Sequence, residues 1–339
     1  KLDFIASFDL FMNETSDFVD IILPDRGYLG CYNTRPNSPY IFSHPAGMGD
    51  WSWAIQQPVV EPEGKERIFA DVLIDLAERA DFLSDMNAAF NAVFDLRGEN
   101  RLQGDKKYSY EEICDADLKN NFGDERGLEF FKKEGVISWP KTPEEVYWRP
   151  FTDARVPIYW EWMPELGKKI QAISGPAGLD VPMEYYSALV DYLPCASHEC
   201  DHDNFDFYTF YYRDTLHTNS FTMENAWLDE AAQLDPYSYN IAMNTQSGLK
   251  RGLEDGDLIQ LETAKGRKVK GRVHLTQAIH PEGLGIAALC GHWAKGMPVA
   301  EGKGIFYNEL LELDWENVNP VNLTLDLCSK DKVSRVEEN

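Results

Sequence analysis

Short apolar runs separated by turn residues fill the C-terminal part of the sequence. They alternate with turns such as Asp255-Gly256-Asp257 and Lys265-Gly266-Arg267, which favour chain reversal between strands. Several short strands at this spacing predict a closed β-barrel over residues 206–330, followed by a tail at 331–339. The predicted strands are Phe207 to Tyr212, Tyr239 to Met243, Leu258 to Thr263, Lys268 to Leu275 and Leu284 to Leu289.

The N-terminal 25 residues place two apolar stretches on either side of a polar turn. Phe4 to Phe8 reads as a strand, Asn13-Glu14-Thr15 as the turn, and Phe18 to Leu23 as a second stretch that ends at Pro24. We interpret residues 1–25 as the end of an α/β domain. The chain starts without Met, with residues that resemble the interior of a strand, so we expect a piece of a longer polypeptide.

Two helices are predicted in the middle of the chain. Apolar residues recur three and four positions apart between Ile68 and Ala77, which is the spacing of an amphipathic helix. A shorter helix fits Gly127 to Lys133, because Gly135 provides a stop signal.

The remainder of residues 26–205 is predicted to be loop-rich. The acidic stretch from Glu99 to Asp117 is interpreted as solvated surface, and residues 139–205 are dense in Pro and aromatic residues. A domain boundary is placed near Asp201 to Asn204. The predicted fold class is therefore α+β or α/β: the end of an α/β domain, a loop-rich and helical middle region, and a C-terminal β-barrel.

Composition narrows the class of protein further. The 339 residues include 57 acidic and 32 basic side chains, for a formal net charge of −25, and 43% are hydrophobic. The apolar fraction is sufficient for packed cores. The negative charge argues against nucleic acid or an anionic membrane as the main partner, because phosphates would be repelled. The chain contains no run of 18 apolar residues, so no transmembrane segment is predicted.

One cluster has the residue types of a metal site. It contains four side chains that can bind zinc, but its spacing is uncommon, and alternating ligands on an extended segment point to opposite faces. We therefore favour a polar linker before the barrel and assign no metal ligand. The four residues are Cys195, His198, Cys200 and His202.

The barrel segment resembles the C-terminal, pterin-dinucleotide-binding domain of the molybdopterin oxidoreductases of the dimethyl-sulfoxide-reductase group. Gly248 stands where that family usually has Ala. The matching stretches are Arg213 to Ser220, Asn240 to Asn244, Gly252 to Asp257, Gly266-Arg267, Val273 to Thr276, Ile279 to Gly283, Gly291 to Trp293 and Asn308 to Leu310.

The N-terminal end is similar to the same family. Phe8-Asp9-Leu10-Phe11-Met12-Asn13-Glu14-Thr15, followed by Asp20 to Pro24, resembles the family pattern D-x-F-x-T-E-T-A-x-x-A-D-V-V-L-P. Asn13 replaces the usual Thr. Residues 25–205 resemble the family only loosely.

The resemblance implies part of the catalytic subunit of a molybdenum- or tungsten-dependent oxidoreductase. In that family a bis(molybdopterin guanine dinucleotide) cofactor carries two-electron redox, oxygen-atom-transfer or hydroxylation chemistry, and its metal takes one further ligand from the protein. That ligand and the [4Fe-4S] cysteines are expected in a missing N-terminal part. The implied partners are the rest of the catalytic polypeptide, a small-molecule substrate and an iron–sulfur electron-transfer subunit. The implied barrel is of the double-psi type.

The resemblance also implies a set of cofactor-binding residues. An Arg can fork onto phosphate, a carboxylate can accept from guanine N–H groups or ribose hydroxyls, and amides and hydroxyls add short contacts. Because strands distant in sequence become neighbours in a closed barrel, we expect the loops of Arg213 and Asn308 on one rim. The candidates are Asp9, Asn13, Arg213, Asp214, His217, Thr218, Asn219, His292, Trp293 and Asn308.

Several of these residues have a structural alternative. Asp9 ends a strand, where α/β sheets bind ligands, but the segment could also cap the next helix through Asn13 or Thr15. Arg213 could lie in a surface turn, and His292 and Trp293 could pack the barrel instead of contacting a pterin. Asn308 lies between apolar residues, so we expect a buried amide that holds a ligand or a loop carbonyl.

A non-catalytic interaction module is the alternative function, because double-psi barrels also serve as protein-binding domains. The Asp9 match favours the oxidoreductase, since an interaction barrel does not need a carboxylate at the end of a separate strand.

Overall fold

The computed structural model describes residues 2–34, 50–62, 64–146, 153, 158–195, 199–314 and 317–337. The chain forms two compact units, Lys1–Phe11 with Thr15–Arg155, and Met12–Glu14 with Val156–Asn339. The predicted fold class is confirmed: a mixed α+β chain ends in a closed six-stranded barrel.

The first unit contains two small sheets and a group of helices. Strand β1 (Ala6–Asp9) pairs in parallel with β2 (Ile21–Pro24), as the pattern of the first 25 residues suggested. Strand β3 (Trp51–Ala54) pairs antiparallel with β4 (Val136–Trp139). The helices are α1 (Phe69–Arg79), α2 (Leu83–Val93), α3 (Tyr110–Phe122), α4 (Leu128–Glu134) and α5 (Pro143–Val146).

Helices α1 and α4 were predicted, whereas α3 corrects the interpretation of 99–117 as surface. Helix α3 begins with a capping box, in which the backbone N–H of Ser109 donates to the Glu112 carboxylate at 2.8 Å and the Ser109 hydroxyl accepts from the Glu112 N–H. Its apolar residues Ile113 and Leu118 are fully buried. Glu111 and Glu112 are exposed, whereas Asp117 is buried and accepts from the Thr34 hydroxyl at 2.8 Å, so the density of acidic residues concealed an amphipathic element.

The barrel forms most of the second unit. Its strands run in the order β10-β5-β9-β6-β8-β7, and β7 pairs with β10 to close the ring. Helices α6 (Trp162–Ser174), α7 (Ala226–Ala232) and α8 (Thr245–Lys250) accompany it. The strands are β5 (Phe207–Tyr212), β6 (Ile241–Asn244), β7 (Leu258–Thr263), β8 (Lys268–Thr276), β9 (Gly283–Ala287) and β10 (Cys328–Arg335).

Two parallel pairs, β5 with β9 and β6 with β8, set the topology of the barrel, and its other neighbours are antiparallel. The inward-facing side chains form one continuous apolar core that includes Ile241, Ile259, Leu261, Leu284 and Ile286, all fully buried. Closure leaves no free strand edge within the ring.

Strand β10 runs past the barrel end expected at residue 330. Residues Asp331 to Arg335, expected as tail, pair antiparallel with β7. The strand carries little apolar pattern because its buried positions are polar. The Lys330 ammonium lies 3.6 Å from the centroid of the Tyr208 ring, and the Ser329 hydroxyl donates to the buried Asp331 at 2.7 Å.

Helix α6 corrects the expectation that residues 139–205 are irregular throughout. Gly167 lies in this helix where a Cβ would approach the Cβ of Tyr186 to 2.7 Å, so the sequence needs Gly for this close contact. Among the described residues, no helix is both long enough and apolar enough to cross a bilayer.

Ending the chain after Lys330 should unfold the barrel, because it removes Asp331 to Arg335 and reopens the ring between β7 and β10. We expect the cooperative thermal transition of the second unit to be lost, as measured by near-UV circular dichroism and calorimetry. A chain that ends after Val336 keeps the pairing and is the control. Equal melting of the two truncated chains would contradict this role of β10.

Candidate functional site

The candidate site lies at one end of the barrel, where three chain segments meet. Because β5 and β9 are parallel, their carboxyl ends share one rim, and the N–H of Ala288 donates to the carbonyl of Tyr212 at 2.8 Å. Strand β6 is antiparallel to β9 and therefore starts at the same end, where the Cys290 thiol donates to the Ser238 carbonyl. We call this end the rim: residues 213–219 after β5, 237–240 before β6 and 288–292 after β9.

Three buried polar atoms at the rim have no hydrogen-bond partner among the residues that the structure describes. They are Oδ2 of Asp214, Nδ1 of His217 and Oγ of Ser238. The other oxygen of Asp214 accepts from the N–H of Leu216 at 2.8 Å. Each buried polar atom left without a partner costs about 1–3 kcal/mol, so their concentration at one place is typical of a ligand site.

A chain of hydrogen bonds fixes the Nε2 side of the His217 ring. Its Nε2 lies 3.1 Å from the Tyr239 hydroxyl, which donates to Asp229 of α7 at 2.9 Å. Asp229 also pairs with Lys303 at 2.5 Å and accepts from Gln233 at 2.7 Å. Burial alone would raise the pKa of Asp229, but these hydrogen bonds, first of all that from Lys303, lower it below its usual value.

Glu14 fixes the segment that carries His292. Its carboxylate accepts from the N–H groups of Trp293 at 2.9 Å and Ala294 at 3.1 Å, and lies 3.0 Å from Nδ1 of His292. Burial acts to raise the pKa of Glu14, but hydrogen bonds from backbone N–H groups and from His292 outweigh it and lower the pKa to about 2. Gly291 has a φ of +84°, and a Cβ there would meet the Phe306 nitrogen at 2.1 Å.

His292 and Trp293 show features both of a ligand contact and of barrel packing, the two alternatives for these residues. Nε2 of His292 is buried and has no partner in the described part of the chain. Trp293 packs edge-on against Phe306, with ring centroids 5.2 Å apart, but 52% of its surface stays exposed. A cleft of about 360 Å³ beside His292 is lined by Lys268, Lys270 and Phe306.

The expectation that the amide of Asn308 is buried is wrong, because this side chain is exposed. It lies in a single 3₁₀ turn, Tyr307–Glu309, in which residues three apart share a face. Tyr307 and Leu310 take the inward face and are buried, which leaves Asn308 outside.

The remaining barrel candidates are all exposed. Arg213 makes no hydrogen bond or ion pair through its side chain with the described residues, and Thr218 is solvent-facing. The backbone carbonyl of Asn219 accepts a hydrogen bond from the Thr222 N–H at 3.0 Å. Exposed groups next to the buried atoms of Asp214 and His217 leave the rim accessible.

Asp9 is the last residue of β1, at the carboxyl end of a parallel strand pair. Its carboxylate accepts from the hydroxyls of Ser7 and Ser16, the latter at 3.0 Å. The capping alternative is not realised through Thr15, which occupies the N-cap position of the 3₁₀ turn Ser16–Phe18 without a side-chain cap hydrogen bond. Asn13 is half-buried.

The zinc-type cluster is only partly described, because His198 lies outside the described residues. Its cysteines Cys195 and Cys200 are free thiols. Within the described ranges, no group of three or more His, Cys, Asp or Glu side chains could hold a metal ion.

The two-unit fold with its closed barrel has a solved counterpart. Acetylene hydratase from Pelobacter acetylenicus superposes with a TM-score of 0.64, covering 98% of this chain and 40% of that chain, at 17% sequence identity. At this identity the likeness concerns the fold.

Two curated relatives match most of this chain. The thiosulfate reductase molybdopterin-containing subunit PhsA of Salmonella typhimurium is 24% identical over 324 residues, which cover 92% of this chain and 37% of the relative. A sulfite dehydrogenase subunit from Allochromatium vinosum is 22% identical over 316 residues, which cover 83% and 32%. No family model matches the chain.

The resemblance to molybdopterin oxidoreductases, predicted from the two ends of the sequence, is thus confirmed over most of the chain. The chain spans about a third of the length of the curated relatives it matches, at 37% and 32%.

Replacement of Glu14 by Gln should destabilise the second unit at neutral pH by about 1–3 kcal/mol, because the loop N–H groups lose a charged acceptor. A lowered pKa stabilises the folded state above the unfolded value of 4.5 and loses that effect as the pH falls through about 2. The difference between parent and variant should therefore be full at pH 7 and shrink between pH 4.5 and 2.

Denaturant unfolding at pH 7, 5 and 3 measures this difference. Glu301→Gln, at an exposed Glu of the same unit, is the matched control and should show no such pH dependence. A constant difference at all three pH values would contradict the electrostatic account.

Proposed function

We propose that the chain is part of the catalytic subunit of a molybdenum- or tungsten-dependent oxidoreductase and binds a molybdopterin guanine dinucleotide cofactor at the rim of the barrel. The observation that carries the proposal is the group of buried, unpartnered polar atoms on Asp214, His217 and Ser238. These atoms lie within or beside segments that match the pterin-dinucleotide-binding domain. The names of the two curated relatives support the same class of enzyme.

The candidate residues of the second unit fit such a ligand chemically. Pterin and guanine rings carry an edge of N–H donors, which suits the free acceptor oxygen of Asp214. The pyrophosphate needs cations or backbone amides, and the exposed guanidinium of Arg213 is suited to bind it. Thr218, Asn219 and Asn308 offer exposed hydroxyl and amide groups, and Trp293 offers a half-exposed ring face. When bound, the cofactor supplies the redox chemistry, and these side chains bind and orient it.

Asp9 is proposed to bind the guanine or ribose end of a dinucleotide. A carboxylate accepts well from two N–H or O–H donors, and Asp9 ends a strand of a parallel pair, the usual ligand position in α/β sheets. Two of its partners are the hydroxyls of Ser7 and Ser16, which can rotate toward other acceptors. Asn13 is proposed as an additional amide contact.

The proposal extends to the rest of the enzyme. We propose double-psi connectivity for the barrel, a second pterin dinucleotide on the same metal, a [4Fe-4S] cluster in a further part of the polypeptide, and an iron–sulfur electron-transfer partner. The substrate is proposed to be a small molecule that undergoes two-electron redox, oxygen-atom transfer or hydroxylation.

Arg213→Ala should lower cofactor retention about tenfold, because a contact to a charged group is worth about 1.5–3 kcal/mol. His217→Ala should also lower it, because a ring N–H of the ligand would be left buried without an acceptor, at a cost of about 1–3 kcal/mol. Asn308→Ala should give a smaller loss, since its exposed amide is neutral. The measurement is pterin content by fluorescence after oxidative release, together with molybdenum and tungsten by mass spectrometry, on the purified protein that contains this chain.

Lys250→Ala is the control, because it removes an exposed positive charge that is not among the predicted cofactor contacts. Circular dichroism must show a folded barrel in every variant. If the purified parent carries no pterin or metal, or if Arg213→Ala, His217→Ala and Asn308→Ala all retain cofactor like the parent, the proposed function is wrong.

Asp9→Ala should also lower pterin content, and Asp9→Asn should do so less, because an amide retains one acceptor oxygen. Ser16→Ala removes one of the observed partners of Asp9 without touching its carboxylate and is the structural control. If Asp9→Ala and Ser16→Ala lose stability equally while both retain full pterin content, Asp9 is a structural residue.

A further inference from the structure

The Asp229–Lys303 pair lies at the start of a chain of contacts that ends at the candidate ligand site. Asp229 and Tyr239 lie on separate segments of the second unit, and neither belongs to the set of predicted cofactor contacts. Lys303 approaches Asp229 at 2.5 Å, Asp229 accepts from Tyr239 at 2.9 Å, and Tyr239 lies 3.1 Å from Nε2 of His217. Asp229 is only 6% exposed and His217 is fully buried.

The number of available protons decides the direction of each hydrogen bond. An ionised carboxylate is only an acceptor, and a phenol has a single O–H hydrogen. Because Asp229 holds a charge balanced by Lys303, it is the stronger acceptor and takes the hydrogen of Tyr239. Burial, followed by the contact with Asp229, raises the pKa of Tyr239, so the hydroxyl stays protonated.

With its hydrogen committed to Asp229, the Tyr239 oxygen can only accept from His217. Nε2 of His217 must then carry a hydrogen, and if the imidazole is neutral this leaves Nδ1 as a bare acceptor. Nδ1 is the atom of His217 that is buried without a partner among the described residues, as is Oδ2 of Asp214 three residues earlier. The rim therefore presents two buried acceptors and no buried donor on these two side chains.

We propose that the Asp229–Lys303 pair, acting through Tyr239, fixes His217 in its Nε2-protonated tautomer and thereby selects a ligand edge that donates hydrogen bonds. This inference rests on the proposed function, since it assigns the buried part of the rim to N–H groups of a pterin or guanine ring. A phosphate offers only acceptor oxygens and is repelled by the same pair of atoms. Asp229, Lys303 and Tyr239 are positioning residues, because they act through His217.

The test measures the tautomer directly. The chain contains seven histidines, so a sample labelled with ¹⁵N only in histidine gives a tractable long-range ¹H–¹⁵N spectrum. His217→Gln identifies the signals of His217 by their loss. In the parent protein we expect Nε2 at the protonated position and Nδ1 at the unprotonated position. On loading with the pterin cofactor, Nδ1 should shift as a hydrogen-bonded acceptor and remain unprotonated.

Tyr239→Phe removes the acceptor for Nε2–H, and Asp229→Asn removes the charge that holds the hydrogen of Tyr239. Each variant should move the Nδ1 signal of His217 at least about halfway toward the protonated position. Lys265→Met is the matched control, because it breaks the ion pair of Lys265 with Asp314 at 2.7 Å and leaves the chain to His217 intact. The control should show the parental His217 spectrum.

A proton on Nδ1 in the parent protein, a gain of that proton on cofactor loading, or a parental spectrum in Tyr239→Phe would each overturn the inference. Pterin content measured on the same samples separates this failure from failure of the proposed function. A parent with the expected tautomer but without any pterin overturns the proposed function, whereas a pterin-loaded parent with the opposite tautomer overturns only this inference.

Discussion

Closure of the barrel by β10 is the constraint on which the candidate site depends. This strand pairs with both β5 and β7 and so completes the ring. Inside the ring, the parallel pairing of β5 with β9 brings the ends of two distant chain segments to one rim. The antiparallel pairing of β6 with β9 adds the residues that precede β6. The rim is thus a product of topology, and no single segment of the sequence contains it.

The buried and half-buried polar side chains of the second unit differ in how fully they are hydrogen-bonded. The carboxylate of Glu14 takes backbone N–H donors, and that of Asp229 takes Lys303, Tyr239 and Gln233. These groups stabilise the loops that they join. Asp214 and His217 are buried too, yet each keeps one atom without a partner among the described residues. These two open atoms lie three residues apart beside exposed side chains, so a ligand explains them better than poor packing does.

The sequence predicts the elements whose residues follow simple periodicity. Strands β5 and β7 match their predicted bounds, because each is a short run of apolar and β-favouring residues bounded by polar or turn residues. Strand β10 was missed because it buries Lys330 and Asp331 through contacts made only in the closed barrel. Within the site, motif residues such as Asp214 and His217 are predictable from resemblance. Asp229 and Lys303 are not, because their roles arise from pairing across 74 positions of sequence.

The proposed binding mode is also compatible with the strongly acidic character of the chain. With a net charge of −25, the chain repels phosphate at long range, so binding must be driven by specific contacts. A buried acceptor pair suits the N–H edge of a ring, where no charge has to be desolvated on the ligand. An exposed cation such as Arg213 suits the pyrophosphate, which then stays partly hydrated. In the proposed binding mode, the neutral rings of the ligand would lie in the buried part of the rim and its charge at the solvent boundary, where desolvation costs least.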